Sequence, residues 1–371
     1  MTTLGIDFGT STTVSTICRD GTYYEVVTDR DGEEAVPSVV AFTPNGKTAI
    51  GRPARARRLI DAANSISSVK RILGKSWTSA DVRDYQRNYP YEVERDPAGN
   101  VQFITRAGRF SAVEIVSLIL SYVRIAPAIE SSSWERVCLT VPTTFGREQR
   151  QALQEAAEKA AFAVTTLVEE PFAAALPYLH EQKDESVVAV YDFGGGTFDC
   201  SVLKIKDGKY EIIASGGDSY LGGDDIDLEC ANFVADEILE QFRWDVRSDA
   251  NSFQTLRFVC EQAKINLSRV DRTLINLTPV DEVLRGKSIA LERPKLEQLS
   301  MNLIQRTFMV CDDVFVRAGI TAQSVDKVIL AGGGSLIPVV QAGVQAYFGK
   351  TPTASLPPDR IVSMGAALFV A

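Results

Sequence analysis

One histidine, His180, occurs among 371 residues. Its scarcity excludes a Ser-His-Asp triad elsewhere in the chain, a multi-histidine metal centre and the helical zinc motif with two histidines. Cysteine is also sparse: Cys18, Cys138, Cys200, Cys230, Cys260 and Cys311 are scattered, with no two separated by only two residues. A zinc ribbon or thioredoxin-like pair is thereby ruled out, and these side chains read as half-buried structural thiols. Long apolar runs are missing. Charges interrupt every apolar stretch before membrane-spanning length, and no charged-then-apolar signal stands at the N-terminus, so a cytoplasmic, reduced protein is expected. Basic residues are in the minority, 39 Lys and Arg against 48 Asp and Glu, for a net charge of −9. That balance disfavours nucleic acid and acidic membrane as partners, because phosphate affinity comes mostly from Lys and Arg.

What is present suits a folded α/β protein. Hydrophobic residues make up 45% and charged residues 23% of the chain, which argues against disorder. The length exceeds the roughly 250–300 residues at which single cores stop growing, so two or more cores are expected. Short apolar strands punctuated by Gly and Asp alternate with amphipathic helices. The strand-like runs are Leu4–Asp7, Val39–Phe42, Arg136–Val141, Val164–Val168, Val187–Asp192, Phe198–Ile205, Tyr210–Ser215 and Val328–Ala331. Helical patterns cover Ala112–Val123, Arg147–Ala161, Asp225–Phe242, Phe253–Leu267, Leu296–Ala318, Leu336–Phe348 and Ile361–Val370. Pro171 and Pro338 suit helix starts, whereas Pro177 should end or bend its helix. Arg52, Arg55, Arg57 and Arg58 read as a solvated helix face.

A weak internal repeat organises these elements. Leu4-Gly-Ile-Asp-Phe-Gly-Thr10 returns, with insertion, as Ala189-Val-Tyr-Asp-Phe-Gly-Gly-Gly-Thr197. In each copy an apolar strand ends in an aspartate, Asp7 or Asp192, a glycine turn follows, and a second strand begins at Thr12 or Phe198. Two copies of one hairpin predict two similar lobes facing each other across a cleft. A chance likeness between two hairpin turns is the plainer alternative.

Glycine turns expose successive backbone N–H groups that cradle phosphate oxygens. Three occur: Gly9-Thr10-Ser11-Thr12, Gly194-Gly195-Gly196-Thr197 and Gly332-Gly333-Gly334-Ser335. Asp precedes the first two, placed to hold the water shell of a divalent cation beside the phosphates. The third leads into a helix at Leu336, whose N-terminus can face an anion. Each alone would be a hairpin or a helix entry; together they point to a nucleotide polyphosphate. Gly46-Lys47-Thr48 looks like the end of a P-loop, but Ala41 stands where its leading glycine belongs, and Pro44-Asn45-Gly46 reads better as a hairpin turn. The Rossmann spacing and the kinase glycine loop are absent.

Eight ordered segments then carry a specific resemblance: Gly5-Ile-Asp-Phe-Gly-Thr10, Val69-Lys-Arg-Ile-Leu-Gly74, Thr140-Val-Pro142 with Gln149-Arg-Gln151, Glu170-Pro-Phe-Ala-Ala-Ala175, Asp192-Phe-Gly-Gly-Gly-Thr-Phe-Asp199, Leu221-Gly-Gly223, Glu261-Gln-Ala-Lys264 and Ala331-Gly-Gly333. From Met1 to Ala371 the chain resembles the nucleotide-binding domain of the seventy-kilodalton heat-shock chaperones (DnaK-like), within the actin and sugar-kinase superfamily. The resemblance implies an α/β, actin-like ATPase fold: two lobes, each a mixed β-sheet flanked by helices, with nucleotide in the cleft between them. Lobe I would take residues 1–182, with an insertion at about 36–112. Lobe II would take 183–356, with an insertion at about 225–305. Residues 357–371 would return to lobe I as a terminal helix, with Pro357-Pro358-Asp359 at the crossing.

The same resemblance implies a slow ATPase using ATP/ADP and Mg²⁺. Gly9, Thr10, Ser11 and Thr12 would meet the phosphates from one side, and Gly194, Gly195, Gly196 and Thr197 from the other. Gly223, Gly332, Gly333 and Gly334 would join the nucleotide site. Asp7, Glu170 and Asp192 would hold Mg²⁺ through waters, with Asp199 in the same metal site; Asp7 and Asp199 would also bind K⁺. Lys70 would place positive charge at the γ-phosphate and the attacking water. Glu170, Asp192 and Asp199 are candidates for orienting that water or taking its proton, and Thr197 for aligning the γ-phosphate. Read alone, Lys70 would be a solvated helix lysine, Glu170 a favourable charge at a helix N-terminus, and Asp7 and Asp192 turn caps. Glu261 and Lys264 would bind the ribose, Ser268 the adenine edge, and Asp359 would stand near the adenine-side wall.

Three departures from the family pattern matter. Ile265 and Leu336 occupy positions where many members carry arginines that sandwich adenine, so cation–π stacking is lost and weaker or less selective adenine recognition is expected. Pro142 and Arg150 match a pair that relays nucleotide state, yet Thr166 replaces an arginine usually four residues before the Glu-Pro motif. The hairpin after Asp199 carries Lys204, Lys206 and Lys209 where acidic residues commonly meet a basic J-domain helix; like charges repel, so ordinary J-domain stimulation is not expected. The chain stops at Phe369-Val-Ala371, without an interdomain linker, peptide-binding sandwich or helical lid, so this chain by itself is not expected to clamp unfolded peptides; client or co-chaperone proteins are possible partners. An actin-like filament-forming ATPase and a nucleotide-sensing binding module with little hydrolysis are the rival readings. A sugar kinase fits least, because no sugar-binding carboxylate motif is recognisable.

Overall fold

Two hairpins of the same build organise the structure, a computed structural model that describes residues 2–371 except 22, 131–133, 164–165, 180–184, 207–208 and 354. His180, the expected boundary at 182/183 and the start of the Val164–Val168 run lie outside the described residues, as does the side chain of Lys209. In the first hairpin, Thr2–Phe8 pairs antiparallel with Thr12–Arg19, and Asp7 sits opposite Val14. In the second, Ser186–Phe193 pairs with Phe198–Lys206, and Asp192 sits opposite Asp199. The neighbours repeat as well. The first strand of each hairpin takes a parallel partner, Arg136–Val141 or Lys327–Ala331. The second strand takes an antiparallel one, Tyr23–Val26 or Lys209–Asp218. Thr166–Glu169 extends the first sheet in parallel beyond Arg136–Val141. A likeness of nine residues in the sequence is thus a likeness of sheet topology.

The hairpin strands read as near-continuous apolar runs because elements cover both of their faces. Leu4, Ile6, Phe8 and Ile17 are fully enclosed in a core shared with the helices Ala112–Arg124 and Arg147–Lys159. On the far side of the second sheet, Gly223–Phe242, Ala250–Leu267, Arg293–Ala318 and Pro338–Phe348 build another core. A third core lies between the sheets: Cys138 and Val168 from one and Val188, Val190 and Ile329 from the other close on the helices Glu170–Leu179 and Ile361–Phe369. The terminal helix reaches back to the first strand, where Thr3 Oγ1 donates to the Ala367 carbonyl at 2.7 Å. The expectation of two or more cores is met.

Several local expectations need correction. Pro177 does not end its helix, which runs on to Leu179. Proline cannot donate to the Ala173 carbonyl four residues back; the backbone at Gly365 packs directly against that carbonyl, so the packing of the terminal helix covers the break. The third glycine turn enters a short 3₁₀ turn, Gly333–Leu336, and the α-helix begins only at Pro338. The six cysteines are free thiols and fully buried rather than half-buried. Pro44-Asn45-Gly46 does join two antiparallel strands, Val40–Phe42 and Thr48–Ile50, with Gly46 at φ 76°. Among the described residues no helix is long and apolar enough to cross a membrane.

Candidate functional site

The two hairpin turns close in the same way. Gly9 donates to the Thr12 carbonyl at 2.9 Å, and Gly194 to the Thr197 carbonyl at 3.0 Å. Their tips then meet. Gly195 lies so close to Ser11 that any side chain on it would overlap the serine, which is why glycine is required there. Around this contact runs a crevice with a narrow and a wide part. The narrow part is lined by Asp7, Gly9, Thr10, Lys70, Glu170, Asp192, Gly194, Thr197, Gly332 and Asp359. The wide part, about 440 Å³, is lined by Gly223, Asp224, Glu261, Lys264, Ile265, Ser268, Arg269, Gly334 and Leu336. Ser11, Thr12, Gly195 and Gly333 border both.

The sequence-based candidates therefore sort by position. Those expected at phosphates line the narrow part, and those expected at ribose and base line the wide part. Three stand elsewhere. Asp359 lies at the narrow end rather than beside the base residues. Gly196 packs on Thr10 and Arg71 instead of facing the crevice. Asp199 is buried behind Asp192, its strand partner, with Thr143 Oγ1 at 3.5 Å from Oδ1.

Charge is unevenly distributed in the narrow part. Lys70 Nζ donates to Glu170 Oε1 at 2.8 Å, with both side chains buried. Asp7 accepts from Thr140 Oγ1 at 2.9 Å. Burial raises the Asp7 and Glu170 carboxyls above their ordinary range against the pull of Lys70. Burial pushes Asp192 well up, and the charges of Glu170, Asp199 and Asp7 push the same way. Burial, then Glu170, pushes Asp199 up to about 7. Burial alone would lower Lys70, but Glu170 and Asp7 outweigh it and hold the ammonium above its usual value. Four carboxyls thus share one ammonium, a deficit that a cation relieves.

The donor set fits Mg²⁺ and a phosphate tail. Hard carboxylate oxygens suit that ion, which keeps several of its waters when bound. Among the described residues no three carboxyl, imidazole or thiol groups converge to ligate an ion directly. Thr10 Oγ1, in the first turn at the edge of the narrow part, is buried with no hydrogen-bond partner. A buried hydroxyl left unpaired is costly unless a ligand satisfies it.

Other contacts hold the walls together, and sequence reasoning missed most of them. The Asp224 carboxylate accepts from Ser11 Oγ at 2.9 Å and Ser68 Oγ at 2.8 Å, joining the two sides above the turns. Burial would raise Asp224, but Arg71 and Arg257 outweigh it and lower its carboxyl. Arg71 pairs with Asp225 at 3.0 Å and lies over the Tyr220 ring at 4.6 Å. Glu261 takes Arg55 at 2.7 Å and Arg58 at 3.5 Å, and both guanidiniums stack over Phe258. The arginine run is therefore only partly a solvated face: Arg52 is exposed, while Arg55 and Arg58 bridge to the opposite wall. Lys264 bonds to Asp227 and to the Gly223 carbonyl, each at 2.9 Å. The available signal was charge beside motif: Arg71 follows Lys70, and Asp224-Asp225 follow Gly222-Gly223.

Away from the crevice, Lys204 and Lys206 converge on Glu185 at 2.6 and 3.1 Å, and Arg150 pairs with Glu169 at 2.8 Å. A family model described as Hsp70 protein matches residues 3–371. The mixed sheets flanked by helices accord with the actin-like ATPase fold of that family. Sheet topology, crevice and match agree, and the chain belongs to the Hsp70 protein family.

Proposed function

We propose that the crevice binds ATP with Mg²⁺ and hydrolyses it slowly, so that the chain acts as a nucleotide switch. Membership of the family supports an ATP-binding, chaperone-type function and ATPase chemistry in general. The observation that carries the reading to this chain is the narrow cavity where two glycine turns face the buried Lys70–Glu170 pair and two aspartates. In this reading residues 1–182 and 357–371 form one lobe and 183–356 the other, with insertions at about 36–112 and 225–305.

The residues divide the work by chemistry. The amides of Thr10–Ser11 and Gly195–Thr197, with the Thr10 and Thr197 hydroxyls, hold the phosphate tail, while those of Gly9 and Gly194 close the turns. Asp7, Glu170 and Asp192 would hold Mg²⁺ through waters, with Asp199 behind them; bound there, the ion neutralises phosphate charge. Asp7 and Asp199 would share a K⁺. Lys70 stays protonated and fixes a positive charge beside the terminal phosphate. Glu170 and Asp192, with carboxyls raised by burial, are suited to take the proton of the attacking water as its oxygen bonds to phosphorus and the bridging oxygen leaves. Glu261 and Lys264 take the ribose and Ser268 the base edge, with Ile265 and Leu336 covering its faces.

Phosphate release from Mg·ATP by the wild type and Lys70→Ala tests the reading. The variant should lose turnover by a factor of about 10²–10³, the usual effect of removing one group that stabilises transition-state charge. It should keep most of its nucleotide binding. Full turnover in Lys70→Ala would contradict the assignment.

A further inference from the structure

The wide end of the crevice has wall chemistry of its own. Ile265 and Leu336 line it while 44% and 43% exposed, two large aliphatic side chains left uncovered by the protein. The other polar groups of the wide part are committed: Glu261, paired with Arg55 and Arg58, and Lys264, paired with Asp227, to the ribose in the reading above, and Asp224 to Ser11 and Ser68. Two remain available. Ser268 Oγ makes only a long bond, 3.5 Å, to the Lys264 carbonyl. The exposed Arg269 guanidinium has no ion pair or hydrogen bond among the described residues.

We propose, resting on the nucleotide reading above, that this end is a purine slot accepting guanine at least as well as adenine, with Arg269 setting the preference. Aliphatic side chains hold a flat ring by dispersion and burial, and these forces do not distinguish one purine face from another. Discrimination falls to the ring edge. A guanidinium has five donors and no acceptor. Guanine presents O6 and N7 as adjacent acceptors that match its fork, whereas adenine sets the N6 donor beside N7 and leaves donor facing donor. The Ser268 hydroxyl donates or accepts, so it suits either base. A pyrimidine covers less of the two aliphatic walls and lacks the paired acceptors.

Calorimetric titration of the full chain with Mg·ATP, Mg·GTP and Mg·UTP, in the wild type, Arg269→Ala and Arg269→Lys, tests the proposal. The wild type should bind GTP at least as tightly as ATP, and both more tightly than UTP. Arg269→Ala should shift the GTP-to-ATP affinity ratio against GTP by about tenfold, the scale of one bidentate contact to guanine. Arg269→Lys should fall between, since it keeps the charge and loses the fork. ATP bound more tightly than GTP by the wild type would overturn the proposal, as would a ratio that Arg269→Ala leaves unmoved. Binding of none of the triphosphates would overturn the nucleotide reading itself, and this inference with it.

Discussion

Replacing Asp199 by Asn asks whether the carboxyl cluster is held against its own preference when no cation is present. In the folded protein burial and Glu170 move Asp199 from an ordinary 3.8 to about 7. Between those values the folded state holds a proton that the unfolded chain has released. Its contribution therefore favours folding at low pH and is lost as pH rises from about 4 through about 7. A displacement of that size corresponds to roughly 4 kcal/mol between protonation states, an upper figure because Asp192 and Glu170 share in the repulsion. Asparagine keeps the shape, removes the titration and relieves Asp192 as well. Thermal unfolding in chelator at pH 5 and pH 8 reads the difference. Relative to wild type, Asp199→Asn should gain several degrees at pH 8 and clearly fewer at pH 5. Parallel stability curves for the two proteins would refute the reasoning.

Further outcomes follow from contacts described above. Lys70→Ala leaves Glu170 buried without its cation, and it should lower stability by about 3–5 kcal/mol, more at pH 8 than at pH 6 where Glu170 protonates more readily; thermal melts at the two pH values check this. Gly365→Ala drives a methyl into the Ala173 carbonyl and should cost about 1–3 kcal/mol in urea unfolding, as overpacked cores do. A basic J-domain helix should leave phosphate release nearly unchanged, since Lys204 and Lys206 offset Glu185 and Glu211 and leave no acidic face to attract it; strong stimulation would show another surface at work.

The fold was legible where sequence and local physics agree. The strands on either side of Asp7 and Asp192 are buried runs ended by glycine turns, and their pairing followed from that pattern. Arg136–Val141 begins and ends where its apolar run does. The small sheet of Val93–Arg95, Val101–Thr105 and Gly108–Ser111 left no comparable signal, because its short strands are half polar and lack clear alternation. Pro177 does not end its helix at once, and the element packed against the break, the terminal helix at Gly365, lies far away in sequence. The same holds in the site. The glycine turns and their aspartates were recognisable as one group and do line the narrow crevice together, but Asp224 bridging Ser11 and Ser68, or Arg55 reaching Glu261, joins residues 156 to 213 positions apart. Such pairs depend on how the walls close, which no local pattern records.

The central claim, that facing glycine turns form one site for a nucleotide tail and its cation, is tested most directly by titrating the chain with ATP in the presence and absence of Mg²⁺. One nucleotide should bind per chain, more tightly with Mg²⁺, and Gly195→Val should abolish or greatly weaken binding by wedging the turn away from Ser11. Heats no different from dilution, or undiminished binding by Gly195→Val, would contradict it.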